Sequence, residues 1–133
     1  MSDRFPPVER GHRRAHTRAR GAAGEALAAD HLERLGFRIV ARNVHLRVAE
    51  LDLVALDGPT LVIVEVRTRS SARFGSAAES VDARKQARLV RAARELLARG
   101  GLPRFARVRF DVVAIDASAR PPHITHIRDA FTA

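Results

Sequence analysis

The hydrophobic and polar positions of the chain fall into blocks that predict two helices and five strands. Apolar residues spaced three and four apart predict helices over residues 21–36, closed by Gly36, and 81–99, ended by Gly100-Gly101. Short apolar or alternating runs, bounded by turn residues, predict strands. The predicted strands cover residues 37–43, 47–56, 60–67, 107–116 and 123–128. The order α-β-β-β-α-β-β indicates an α/β fold with a mixed central sheet flanked by helices.

Two segments lack a periodic apolar pattern. Residues 1–20 contain two prolines and many arginines, a composition that predicts a disordered basic arm before a single domain of residues 21–133. Such an arm is either an electrostatic tether for phosphates or a solvated tail without a role. Residues 68–80 are polar and predict a loop.

The third predicted strand carries charged side chains within and after an apolar run, LVIVEVRTR at residues 61–69. A buried carboxylate such as Glu65 needs a cationic partner or a metal, because burying it alone costs several kcal/mol. Asp57-Gly58 is a strong hairpin signal, and the hairpin places Asp52 of the second strand close to opposite Glu65. Neighbouring carboxylates repel unless a proton or a divalent cation lies between them, and oxygen ligands suit Mg²⁺ or Mn²⁺.

Three polar residues on the predicted helices lie in or beside the apolar face. Glu25 shares the edge of the stripe of the first helix, where it either completes the acidic site or merely favours the helix dipole. Lys85 lies at the edge of the inner arc of the second helix, and Gln86 lies near the middle of that arc. Both line a polar cleft, or Lys85 extends to solvent while Gln86 caps a backbone group. Ser80 or Asp82 is expected to cap this helix.

Charge and composition narrow the class of protein. The 133 residues include 24 basic and 15 acidic ones, and the formal net charge of +9 makes nucleic acid the first partner to consider, against a merely soluble basic surface. Lys85 is the one lysine among the basic residues. The chain has no cysteine, which excludes a disulfide framework and cysteine-ligated zinc. It has neither a long apolar span nor an apolar signal segment, so we expect no membrane association and a cytoplasmic location.

The motifs in this order resemble a known family. They are GAAGE in the first helix, ELD in the second strand, VEVRTR in the third, then FG, a helical KQ and a final RFDVV. This set resembles the YraN-like (UPF0102) family of predicted endonucleases, which belongs to the PD-(D/E)xK superfamily and is similar to archaeal Holliday-junction resolvases. The match runs from Gly21 to Phe131.

The resemblance implies a restriction-endonuclease-like fold and a Mg²⁺- or Mn²⁺-dependent endonuclease that hydrolyses phosphodiester bonds in DNA, including branched or structured DNA. It implies Glu25, Asp52 and Glu65 as metal ligands, with the backbone carbonyl of Val66 as a further ligand. Glu50 belongs to the motif, but the metal role is assigned to Asp52. Similarity to the resolvases, which cut two strands symmetrically, also implies a homodimer.

Arg67 departs from the family pattern, because the superfamily generally has lysine there to position the attacking water and stabilise charge in the transition state. Arginine keeps the charge and can bind a phosphate through two nitrogens, but its pKa is too high for proton transfer. Lys85 is our candidate for the missing role. We expect Arg69 and Arg73 to bind flanking phosphates without reading sequence, beside Lys85 and Gln86.

Two alternatives to a nuclease remain open from the sequence. One is a DNA-binding module of the same fold with weak or no cleavage activity, which the exchange at Arg67 favours. The other is a basic scaffold protein in which the acidic cluster forms only a structural ion-pair network with Arg67 and Arg69.

Overall fold

The computed structural model describes residues 15–69 and 81–133, with side chains from residue 21 onward in the first helix. The elements follow the predicted order. They are α1 (Ala15–Arg34), β1 (Arg38–His45), β2 (Glu50–Asp57), β3 (Thr60–Arg69), α2 (Ala83–Arg99), β4 (Arg107–Asp116) and β5 (His123–Phe131). Neither of these helices is long and apolar enough to cross a lipid bilayer.

The five described strands form one mixed sheet in the order β1-β2-β3-β4-β5. Every neighbouring pair is antiparallel except β3 and β4, which are parallel and are connected through the segment that contains α2. The predicted hairpin between β2 and β3 is confirmed: Asp57 pairs with Thr60, and Gly58 has a φ of 58°. Glycine suits this turn because it adopts positive φ without a Cβ clash.

The two helices cover opposite faces of the sheet, since alternate residues of each strand point to opposite sides. On one face Leu32 of α1 packs with Val62 and Val64 of β3. On the other face Leu89 and Leu96 of α2 belong to the cluster that contains Ile63 of β3. The inner strands are thus buried on both sides, which explains their nearly continuous apolar sequences.

Several element bounds differ from the predicted ones. The first helix begins at Ala15 and reaches into the predicted arm, whose residues 1–14 lie outside the described residues. The strand β2 begins at Glu50 rather than at residue 47, because Leu46 and Ala49 close a turn through a 3.1 Å backbone hydrogen bond. The strand β3 continues to Arg69, so the loop predicted over 68–80 begins too early. Residues Thr68 and Arg69 remain in the strand because they pair with β4, and the local sequence does not encode that pairing.

Candidate metal centre

The sheet opens into a gap where β2 and β3 stop pairing. Their ladder ends at Leu53 and Val64, whereas the pairing of β1 with β2 continues to Glu50 and that of β3 with β4 continues to Arg69. Beyond this point β2 still pairs with β1, and β3 still pairs with β4, but β2 and β3 no longer pair with each other. We call this gap the fork. The residues at the fork are Glu50, Asp52, Glu65 and Val66.

Asp52 replaces the missing ladder partner at the start of the fork. Its Oδ2 accepts a hydrogen bond from the Val66 backbone N–H at 2.9 Å. The N–H and C=O of a strand residue point toward the same neighbouring strand, so we expect the Val66 carbonyl to face the fork as well. The role of that carbonyl as a further oxygen ligand stays a prediction.

Three carboxylates converge at the fork from two elements. One oxygen each of Glu25, Glu50 and Asp52 lies within 4.8 Å of the other two, a set that can hold a metal ion. Glu25 comes from α1, and the other two come from the start of β2. The sequence predicts Glu25 and Asp52 as metal ligands, and their carboxylate oxygens do lie close together, but it assigns no metal role to Glu50. Its spacing of two from Asp52 was the signal available. Glu50 Oε2 also lies 2.6 Å from His45 Nε2.

Glu65 lies beside Asp52 and faces two cations. Its side chain is only 4% exposed, and its Oε2 lies 3.4 Å from an Arg67 terminal nitrogen and 3.6 Å from Lys85 Nζ. Asp82, rather than Ser80, caps α2 by accepting a 2.8 Å hydrogen bond from the Lys85 N–H. The prediction that the single lysine reaches the acidic residues from α2 is therefore confirmed.

The electrostatics of the site favour neutralisation by a further positive charge. Burial raises the pKa of Asp52 well above its ordinary value, and the charges of Glu65 and Glu25 raise it further, against the opposing hydrogen bond from Val66. A raised carboxyl pKa means that the ionised form is disfavoured unless a proton or a cation is nearby. Asp52 is therefore neutralised either by its own proton or by a cation at the fork.

The balance of charges in the cluster also favours a bound cation. Four carboxylates, those of Glu25, Glu50, Asp52 and Glu65, lie near two permanent cations, those of Arg67 and Lys85. The four carboxylates outnumber these two cations among the described residues, and His45 Nε2, 2.6 Å from Glu50 Oε2, adds a third positive charge only when it is protonated. Oxygen-only donors are those that Mg²⁺ and Mn²⁺ prefer.

The other predicted binding residues have separate outcomes. Gln86 donates from Nε2 to the Val81 carbonyl at 2.9 Å, so it caps a backbone group, the alternative that the sequence left open. Arg69 ends β3 and is half-buried. Arg73 lies outside the described residues. The predicted nucleic-acid role of these three arginine and glutamine side chains stays a prediction.

Comparison with known proteins finds one family whose members share most of this chain. A model of a family described as "Uncharacterised protein family UPF0102" matches residues 24–115. The chain belongs to the UPF0102 family. This YraN-like family is the one that the motifs indicated. The match spans Glu25, Glu50, Asp52, Glu65 and Lys85, so the fork lies wholly within the family segment.

Individual UPF0102 proteins are similar over most of their length. A UPF0102 protein of Xanthomonas campestris (strain B100) is 54% identical over 112 residues, covering 84% of this chain and 90% of the relative. One from Rhodococcus jostii (strain RHA1) is 49% identical over 118 residues, covering 88% and 99%. One from Stutzerimonas stutzeri (strain A1501) is 46% identical over 119 residues, covering 88% and 98%.

A close contact between α1 and β3 positions Glu25 in this UPF0102 chain. A Cβ on Gly24 would overlap Thr68 Oγ1 and would lie 3.6 Å from Ile115 Cδ1. With Thr68 in place, only glycine at position 24 lets α1 approach β3 this closely. The next residue, Glu25, is thereby brought to the carboxylates at the start of β2.

We expect Gly24→Ala to lower the unfolding free energy by about 1–3 kcal/mol, the usual cost of overpacking, and to weaken Mn²⁺ binding because Glu25 moves with the helix. Urea unfolding and titration calorimetry with Mn²⁺ measure the two effects. Gly21→Ala is the matched control, because a Cβ there meets no atom of the described residues within 4 Å. Adding Thr68→Ala to the Gly24 variant should restore much of both quantities. Equal effects at the two glycines would contradict this account.

Proposed function

We propose that this protein is a metal-dependent endodeoxyribonuclease of the PD-(D/E)xK type, which hydrolyses phosphodiester bonds in DNA. The observation that carries the proposal is the fork, where carboxylates from α1, β2 and β3 meet and where Arg67 and Lys85 both contact Glu65. Acidic oxygen donors beside cations are what a metal-assisted attack on a phosphodiester requires.

The side chains at the fork fit a resident Mg²⁺ or Mn²⁺. Their donors are all oxygens, and three of them lie within 4.8 Å of one another. The pKa of Asp52 is raised mainly by burial and further by the neighbouring charges of Glu65 and Glu25. Glu25, Glu50 and Asp52 would hold the ion, with Glu65 and the Val66 carbonyl as neighbouring oxygen donors. A bound divalent cation would supply Lewis-acid polarisation of the scissile phosphate.

Arg67 and Lys85 have complementary roles in this proposal. The planar guanidinium of Arg67 can bind two phosphate oxygens and stabilise the charge that develops on them, but it cannot exchange a proton. The ammonium of Lys85 is a compact donor that can hold the attacking water, the role that lysine has at the position of Arg67 in the superfamily. The carboxylate of Glu65 keeps both cations at the fork until a phosphate enters.

The proposed substrate is DNA bound mainly by its phosphates. The net charge of +9 supports a polyanionic partner, and Arg69 extends β3 from the fork as a further cation. Similarity to the resolvases favours branched or otherwise structured DNA and a homodimer that acts on two strands.

A second candidate function is a DNA-binding module without efficient cleavage. The observation that favours it is the arginine at position 67, in direct contact with the acidic residue that would serve the metal. An arginine locked in an ion pair with Glu65 would bind phosphate and leave water poorly placed.

The experiment that separates these functions is a cleavage panel. The full chain is incubated with linear, nicked, flapped and four-way-junction DNA in Mg²⁺, Mn²⁺ or EDTA. Cutting that needs the metal supports the nuclease. Cutting that persists in EDTA would overturn it. Binding with a steep salt dependence and no cutting establishes the binding module instead. Absence of a Mn²⁺ peak at the fork in crystals soaked at high Mn²⁺ would favour plain ion pairing.

Lys85→Met is expected to lower the cleavage rate by about 10²-fold or more while DNA binding changes little, because the lysine acts on the reacting atoms. Single-turnover cleavage and equilibrium binding measure the two quantities. The added change Arg67→Lys should restore part of the rate by returning lysine to the superfamily position. If Lys85→Met cuts at the rate of the unmodified chain, Lys85 is not the substitute.

A further inference from the structure

The outer face of α2 carries three exposed arginines in a row. Arg84, Arg88 and Arg91 are spaced four and three residues apart, which places them on one side of the helix. All three are exposed, and none forms an ion pair with any residue in 15–69 or 81–133 whose side chain is described. We call these three residues the arginine row.

Contacts along one flank of α2 show which way the row faces. Lys85, near the start of the helix, reaches Glu65 at the fork. Near its end, Glu95 accepts a 3.0 Å hydrogen bond from the Arg47 N–H, and Arg99 donates to the His45 carbonyl at 3.4 Å. His45 and Arg47 lie at the end of β1 and in the turn before β2, which is the fork end of the sheet. One flank of α2 therefore borders the fork end of the sheet near both ends of the helix.

The arginine row lies between this flank and solvent. At about 100° per residue, the three arginines point within about 40° of the direction of Glu95 around the helix. Arg94 points about 180° away from Lys85, and it lines a cavity with Val108 and Phe131 on the opposite flank. The row thus lies nearer to the flank at the fork end than Arg94, which points about 120° away from Arg88.

The carboxylate of Glu95 does not neutralise the row. It is engaged by the Arg47 N–H and by the Arg99 guanidinium at 3.0 Å. The Arg47 hydrogen bond and the Arg99 charge lower the pKa of Glu95, so it stays ionised and held in this pair. The three arginines keep their positive charge for an external partner.

We propose that the arginine row binds consecutive phosphates of the DNA strand that flanks the phosphodiester held at the fork. From Arg84 to Arg91 the row extends over seven residue steps, or about 10 Å at 1.5 Å per residue, which matches about three nucleotide steps at 3.4 Å of axial rise each. Guanidinium groups bind phosphate through two nitrogens, and contacts to phosphates alone position the duplex without reading its sequence. This inference rests on the proposed function, and it adds the path that the substrate takes across the protein.

The test is the salt dependence of DNA binding. The full chain carrying Asp52→Asn, which strongly reduces cutting, is compared with the chain that carries Arg84→Ala, Arg88→Ala and Arg91→Ala in addition to Asp52→Asn. Affinity for a fluorescein-labelled duplex and a four-way junction is measured by anisotropy over a series of KCl concentrations. We expect the slope of log K against log salt to become shallower by about 2.7, or about 0.9 for each lost phosphate contact. Alanine favours helix, so circular dichroism should be unchanged.

The matched control removes the same charge elsewhere. Arg38, Arg104 and Arg107 are all exposed and lie at or next to the hairpin end of the sheet, where Arg38 pairs with Leu56 and Arg107 pairs with Thr60. Their triple alanine variant should change the slope by less than about 1. Within α2, Arg88→Ala should lower affinity more than Arg94→Ala.

The outcomes distinguish this inference from the proposed function. If the slope of log K against log salt falls by the same amount in the row variant and in the control variant, binding follows net charge alone and the inference is overturned. If the unmodified chain cuts DNA and the row variant keeps the full slope, the inference fails while the nuclease stands. If the unmodified chain neither binds nor cuts any DNA of the panel, both fail together.

Discussion

Asp52→Asn is expected to reduce metal-dependent cleavage by about 10²–10³-fold or more and, in the same protein, to raise the stability of the metal-free chain. Asparagine keeps an oxygen that can accept the Val66 N–H, so the fork retains its shape. The substitution removes one negative charge from a place where burial, Glu65 and Glu25 all oppose ionisation. Function and stability therefore change in opposite directions, which simple misfolding would not produce.

The sign of the stability effect follows from the raised pKa of Asp52. The folded chain holds this proton to higher pH than the unfolded chain does, so the metal-free protein loses stability as pH rises from the ordinary carboxyl range through the raised value. Asp52→Asn should remove that loss. Urea unfolding in EDTA over a pH series measures it, and cleavage of the DNA panel in Mg²⁺ measures the first effect.

Added Mn²⁺ is the complementary readout for the same variant. A ligand that binds only the folded state at 100 times its Kd stabilises by about 2.7 kcal/mol, and Asp52→Asn should lose most of that gain. Asp30→Asn is the control, because Asp30 is exposed on α1 and pairs only with Arg34 at 3.0 Å among the described residues. A Mn²⁺ response that is unchanged in the Asp52 variant would remove Asp52 from the metal site.

Asp111→Ala is expected to cost about 3–5 kcal/mol of unfolding free energy, the usual result of removing one partner from a buried charged network. Asp111 is fully buried, and two nitrogens of Arg109 donate to its two oxygens at 2.9 and 3.0 Å. His126 Nε2 lies 2.8 Å from the same carboxylate, and the Asp129 N–H donates to it at 2.9 Å. These contacts join β4 to β5 where their ladder shifts register.

The pH dependence of this network has the opposite sign from that of Asp52. Burial alone would raise the pKa of Asp111, but hydrogen bonds from His126, Arg109 and the Asp129 N–H outweigh it and leave that pKa below its ordinary value. The stability it contributes is present above the ordinary carboxyl range and is lost as pH falls toward the lowered pKa.

Urea unfolding near neutral pH and in acid tests this role of Asp111, with Asp30→Ala as the exposed control that should cost no more than about 0.5 kcal/mol. Asp111→Asn, which keeps the shape but leaves Arg109 with less negative charge, should fall between the control and the alanine variant. Similar losses for Asp111→Ala and Asp30→Ala would show that the buried network adds nothing.

The local sequence determined the order of elements and much of the candidate site. Period-two and helical spacing identify all seven elements, and Asp57-Gly58 specifies the hairpin that sets Asp52 near Glu65. The helical wheel of α2 also places Lys85 toward the sheet, which its contact with Glu65 confirms. These predictions succeed because each depends on residues within one element or one tight turn.

Only the tertiary structure decided how the site is assembled. The fork arises because β3 follows β4 while β2 follows β1, a competition between pairings that no local pattern encodes. At the fork, Glu50 lies close to Glu25 and Asp52 as the third carboxylate of the cluster. The pairing with β4 also extends β3 to Arg69. Contacts between residues distant in the chain are set by packing. One example is the close approach of Gly24 in α1 to the side chain of Thr68 in β3. Residue spacing along the chain predicts the candidate ligands. Only the packing of α1 against the sheet, at the place where β2 and β3 stop pairing, brings their oxygens close enough to bind one ion.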